Sequence, residues 1–143
     1  MAEHLLAIDD VAEDFEEILN WAIEFKKMWK SDDEIARNFF PLADMAVGSI
    51  YEKPSTRTRV SFEVGINRLG GYPLTLLKND IQLGKSETVA DTANVLSRFL
   101  GAITYRCFAH ADVAELAANS SVPVLNALSD KPHPCPAAAD LMT

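Results

Sequence analysis

Apolar and polar positions along the chain fall into two alternating patterns. Short apolar runs at residues 45–51, 72–77, 101–106 and 122–126 are bounded by Gly, Pro, Asn, Asp or Ser and read as buried strands. Between them the apolar residues recur at helical spacing. Phe62, Ile66 and Leu69 define a helix over 56–69, with Gly70-Gly71 as its stop. Val89, Ala93, Leu96 and Leu100 form one stripe of a helix at about 87–99, and a further helix spans 110–118, with Asn119 as its stop. A last helix begins near Pro134. Upstream, Asp9 and Asp10 can cap a helix running to about Lys30, with Phe15, Ile18, Leu19, Ala22, Phe25 and Trp29 as its apolar stripe. Residues 32–37 read as a short helix or a loop. Strands separated by helices predict an α/β fold, a doubly wound parallel sheet of about four strands flanked by helices. Pro123 cannot donate to a sheet ladder, so it belongs at the start of its strand or on an edge.

Composition narrows the class. A chain of 143 residues with 48% apolar and 24% charged residues suits one globular domain with a substantial core. The net charge of −8 argues against nucleic acid as a partner. An anionic substrate would have to be drawn by a local cationic cluster against the overall field. No apolar run reaches ~18 residues, and the N-terminus lacks a signal-peptide pattern, so neither a membrane span nor secretion is expected. Two cysteines without a framework fit a reducing, cytoplasmic setting.

The densest chemistry lies where the first strand meets its helix. Glu52-Lys53-Pro54-Ser55-Thr56-Arg57-Thr58-Arg59 puts three hydroxyls and two guanidiniums in a strand-to-helix turn. The free amides and positive dipole end of the new helix face the same spot, which suits a phosphate. Arginine adds planar paired donors. A solvated basic turn with a helix cap, or a Ser/Thr/Arg patch of the kind kinases modify, is the plainer reading of the same residues. Arg57, Arg106 and His133 all follow strands, and ligands of doubly wound sheets bind beyond the carboxyl ends of strands at the switch point.

The string from Glu52 to Glu63 resembles the carbamoyl-phosphate signature of the aspartate/ornithine carbamoyltransferases. Further blocks resemble the ornithine branch in order and spacing: residues 80–85, 87–92 and 96–98, Arg106, His133-Pro134-Cys135 and Ala139-Asp140-Leu141. The resemblance implies that Ser55, Thr56, Arg57 and Thr58 cradle the phosphate of carbamoyl phosphate. It implies that Arg106 contacts both the carbonyl oxygen and the phosphate, and that His133 hydrogen-bonds the carbonyl oxygen, so that Arg106, His133 and Thr58 stabilise the oxyanion. The loop holding Gln82 is expected to reach into the site of a neighbouring subunit in a trimer. Gln82 is carried over on this basis and Lys85 is not. The implied reaction transfers the carbamoyl group to the ornithine amine, giving citrulline and phosphate in arginine biosynthesis or degradation, without a metal or organic cofactor. The N-terminal helix is expected to pack towards a second domain.

Three features complicate that picture. The family carries Gln after His-Pro-Cys, where it reads the carbamoyl amide; Pro136 stands there in this chain and has no side-chain amide. The family's second, amino-acid-binding domain is not found before Thr143, where the chain stops within an apolar helical pattern and reads as a truncated first domain. An isolated, non-catalytic phosphate-binding and trimerisation module is therefore the alternative. Cys107, His110, His133 and Cys135 could in principle form a zinc site, but their placement at a strand end and a helix start argues against it, and no metal is expected.

Overall fold

The computed structural model describes the chain except for residues 1–2, 32–33, 35–37, 132–133 and 143. A 3-10 turn at Ile8–Val11 precedes α1, Phe15–Lys30. Then come β1 (Ala46–Tyr51), α2 (Arg57–Arg68), β2 (Tyr72–Leu77), α3 (Val89–Leu96), β3 (Ala102–Arg106), α4 (His110–Asn119), β4 (Val124–Leu128) and α5 (Pro134–Leu141). The four strands form one sheet in the order β2-β1-β3-β4, and every pairing is parallel. The expected α/β class and strand number are thus met.

The order reverses between β1 and β3. The chain leaves β1 for one neighbour, β2, and returns across it to β3 on the other side. The carboxyl ends of β1 and β3 therefore form the switch point, where the loops diverge and leave a crevice. β1 is one of the two inner strands, and all its residues but Ala46 are buried. Its polar Ser49 is satisfied by the Thr104 hydroxyl of β3, which donates at 3.0 Å. Gly48 admits a close approach: a Cβ there would lie 2.4 Å from Leu100 Cδ1. The main core joins Ile50, Ile103, Tyr105 and Val124 from the sheet to Ala93 of α3 and Val113, Leu116 and Ala117 of α4.

Local signals explain most element ends. α2 ends as Gly70 adopts φ 86°, with Gly70 N–H donating to Asn67 O and Gly71 N–H to Ile66 O, the paired bonds of a Schellman motif. α3 begins at a Thr88 cap, whose hydroxyl accepts from Asp91 N–H at 3.0 Å. Its expected span of 87–99 shortens to 89–96, because residues 97–99 wind into a tighter turn in which Arg98 N–H bonds Val95 O. β4 starts later than the expected 122–126, since Pro123 sits just before it and has no N–H to give.

The N-terminal expectation needs correction. The helix does not start at Asp9 or Asp10. Asp10 turns its carboxylate back onto the amides of Leu6 and Ala7, at 2.7 and 2.8 Å, and closes the 3-10 turn instead. The segment before it lies on β4: Leu5 N–H bonds Val124 O, and Leu5 O accepts from Asn126 N–H, which covers that sheet edge. On α1 no residue is buried. Phe15, Leu19, Ala22 and Phe25 of the expected stripe are half-buried, while Ile18 and Trp29 remain exposed. Of the expected element at 32–37, all but Glu34 lies outside the described residues.

Candidate functional site

Pro54 to Thr58 build the turn that leads from β1 into α2. Thr56 occupies the cap position without a side-chain cap bond. The first bond into the helix runs from Val60 N–H to Thr56 O at 3.0 Å, so the amides of Arg57, Thr58 and Arg59 stay open. An uncapped helix start is a ready seat for an anion, because open donors and the positive dipole end coincide. A cavity of about 360 Å³ lies over this turn, lined by Pro54, Ser55, Thr56, Arg57, Thr58 and Arg106. Sequence separation of 48 residues between Thr58 and Arg106 is closed by the pairing of β1 with β3.

Arg106 is the side chain that makes this cavity more than a helix end. Its Nη1 donates to Thr58 Oγ1 at 3.2 Å. Its Nε is buried and has no hydrogen-bond partner among the described residues. A buried guanidinium donor without an acceptor is costly, and an oxyanion in the cavity would satisfy it. Arg57 is exposed at the first position of α2, with its guanidinium unpaired among the described residues. The two arginines thus line the same cavity as Ser55, Thr56 and Thr58.

Arg59 is a different case from Arg57, although the two are equivalent in the sequence motif. Its Nε donates to Glu63 Oε1 at 2.9 Å, and the Thr75 hydroxyl of β2 donates to the same oxygen. Those contacts hold the Glu63 carboxyl below its usual range, Thr75 first and Arg59 second, and Glu63 in turn raises Arg59. Arg59 points into a neighbouring cleft of about 340 Å³, shared with Tyr51, Glu52, Lys53, Leu77, Lys78 and Asn79 among others. Burial pushes the Tyr51 phenol up, so it stays neutral there.

Other expected site residues fall elsewhere. Gln82 is exposed in the loop after β2, where its side-chain oxygen accepts from the Ser86 hydroxyl at 3.1 Å; it does not line its own chain's cavity. His133 lies outside the described residues. Among the metal candidates, Cys107 donates to Ala109 O, His110 Nδ1 pairs with the Ser129 hydroxyl, and Cys135 leans on Asn126 O. Among the described residues no three His, Cys, Asp or Glu side chains gather as a metal group would require. Burial pushes the Cys107 thiol up to about 11. The sequence reading passed over Glu52, whose side chain is only 6% exposed and bonds Lys78 and the Phe108 amide. An acid placed between a buried strand and a basic turn was the available signal.

Residues 3–143 match the family described as aspartate/ornithine carbamoyltransferase, carbamoyl-P binding domain. The chain is 48% identical over 139 residues to a catabolic ornithine carbamoyltransferase of Thermoplasma volcanium, a match covering 97% of this chain and 44% of that protein. It is 50% identical over 135 residues to an ornithine carbamoyltransferase of Thermococcus kodakarensis, covering 94% of this chain and 42% of that one. Among solved structures, ornithine carbamoyltransferase from Pyrococcus furiosus superposes with a TM-score of 0.89 at 47% identity, covering 99% of this chain and 44% of that chain. The chain thus spans less than half the length of these relatives. With the switch-point cavity, the uncapped α2 and Arg106 set in the same fold, the chain belongs to the aspartate/ornithine carbamoyltransferase family, in its carbamoyl-phosphate-binding domain.

Proposed function

We propose that this chain is the carbamoyl-phosphate-binding half of an ornithine carbamoyltransferase. The observation that carries the reading is Arg106, which lines one cavity with the uncapped start of α2, bonds Thr58 through Nη1 and keeps a buried Nε without a partner among the described residues. Ser55, Thr56, Arg57 and Thr58 hold the phosphate, and Arg106 spans phosphate and carbonyl oxygen. The ornithine amine attacks the carbamoyl carbon, and the carbonyl oxygen gains negative charge as the new C–N bond forms. Arg106, His133 and Thr58 stabilise that oxyanion. The C–O bond to phosphate then breaks, the attacking nitrogen gives up a proton to the departing phosphate, and hydrogen phosphate leaves into the same cradle, with citrulline as the other product. Positioning and fixed charges supply the rate, with no cofactor or metal in the scheme.

In this reading residues 1–143 are one domain, and a second domain binds the amine. Gln82 serves the site of an adjacent subunit in a trimer, consistent with its exposure and its absence from the lining of its own chain's cavity. Arginine biosynthesis or breakdown in the cytoplasm is the setting. Among the described residues no helix is long and apolar enough to cross a membrane. Titration calorimetry with carbamoyl phosphate and inorganic phosphate tests the binding role. Binding of neither ligand would overturn it.

Pro136, which has no side-chain amide, favours one competing reading, a phosphate-binding and trimerisation module without turnover. Citrulline formation from carbamoyl phosphate and ornithine, with an amine-binding second domain supplied, separates the two.

A further inference from the structure

Glu52 does not line the cavity that holds Arg57, Thr58 and Arg106, and its side chain, 6% exposed, borders the adjoining cleft that shares Pro54, Ser55 and Thr56 with it. Its Oε1 accepts from Lys78 Nζ at 3.0 Å, just past β2. Its Oε2 accepts from Phe108 N–H at 3.0 Å, just past β3. Its own amide donates to Arg106 O at 2.9 Å, and Lys78 N–H donates to Tyr51 O at 3.0 Å. One residue thus fastens together the carboxyl ends of β1, β2 and β3. The Phe108 ring adds a second layer, with Lys53 Nζ 5.0 Å and Lys78 Nζ 5.7 Å from its centroid.

A carboxylate that is nearly all buried is expensive unless it is paired and hydrogen-bonded. Close to an anion seat it is also of the wrong sign, since its field opposes the ligand. What it contributes must therefore be geometric. Its two bonds fix where β3 ends relative to the 52–56 turn, and that spacing sets the Arg106 guanidinium against Thr58. We infer that Glu52 is a positioning residue: its carboxylate clamps the ends of β2 and β3 to β1 and holds Arg106 in register with the phosphate turn, without touching the ligand. The inference rests on the reading of residues 55–58 and Arg106 as the phosphoryl seat.

Field and clamp predict opposite signs. Glu52→Gln keeps an acceptor for Phe108 N–H but removes the charge and the ion pair. If only the field mattered, inorganic phosphate would bind more tightly to the variant. If the clamp matters, it binds more weakly, by roughly tenfold, which is ~1.4 kcal/mol. Glu52→Asp keeps the charge but shortens the reach by one methylene, so the field account predicts no change and the clamp a similar loss. Phosphate calorimetry on the parent chain and both variants, well below their melting midpoints, reads the result. The Arg106 Nε–H resonance should shift in both variants before any ligand is added. Unchanged or tighter binding by Glu52→Gln, or unchanged binding by Glu52→Asp, would overturn the inference, and Glu52→Asp decides alone where the Gln form does not fold. A parent chain that binds no phosphate would instead refute the seat itself.

Discussion

Arg106 Nη1 donates to Thr58 Oγ1 at 3.2 Å, across two strands and a turn. The contact orients the guanidinium while leaving its buried Nε unpaired. An arginine held by a neutral hydroxyl keeps its charge free for a ligand, whereas one held by a carboxylate does not. Thr58→Val and Arg106→Lys should therefore be coupled. Each should weaken phosphate, and the double variant should lose less than the sum, with an interaction energy of ~0.5–3 kcal/mol. Calorimetry over the four proteins of the cycle measures it, and strict additivity would show that the two residues act separately.

Arg57 and Arg59 should behave unlike each other. Arg57 is unpaired among the described residues, and a hydrogen bond to a charged group is worth ~1.5–3 kcal/mol, so Arg57→Ala should weaken phosphate by roughly ten- to a hundredfold. Arg59 is engaged with Glu63, so Arg59→Ala should leave phosphate affinity unchanged. Parallel titrations decide the point.

Glu63 predicts a pH effect on stability. Its folded carboxyl lies below the ordinary value, chiefly because the Thr75 hydroxyl donates to it and then because Arg59 does. A depressed acid contributes stability that is present above its unfolded pKa, about 4.3, and is lost as pH falls through the lower folded value. Glu63→Gln should thus be less stable than the parent at pH 7, with the gap closing in strong acid. Urea melts at neutral and acid pH check this, and a gap that widened on acidification would refute it.

Pro136 bears on ligand choice. It is exposed in the first turn of α5, where an amide would have no partner in the helix, so the turn tolerates it along with Pro134. Where the family's Gln reads the carbamoyl amide, proline forgoes one hydrogen bond. Pro136→Gln should tighten carbamoyl phosphate by roughly tenfold and leave inorganic phosphate alone. Equal gains for both ligands would mean that the residue shapes the turn instead.

Much of this was legible from one-dimensional pattern. The strand at 72–77 has the predicted ends because Gly71 and Lys78 interrupt its apolar run on both sides. The phosphate turn was legible because its chemistry is local. What escaped was set by partners distant in sequence. The burial of Glu52 depends on Lys78 and Phe108, and the pinning of Arg59 depends partly on Thr75, which only strand pairing brings near. The β4 ends shifted because Pro123 has no N–H for the ladder and the irregular pairing at Tyr105 and Arg106 carries the strand on to Leu128. Asp10 misled because an acid before an apolar stripe caps a helix in the usual case, whereas here it closes the turn behind it.

The most direct test of the phosphate seat is an amide and arginine-side-chain resonance titration with inorganic phosphate. Saturable shifts should concentrate at the amides of residues 55–59 and at the Arg106 Nε–H, and Arg57→Ala should raise the concentration needed for saturation. Shifts confined to Lys53, Leu77, Lys78 and Asn79, or no saturable shift at residues 55–59 and Arg106, would contradict the account.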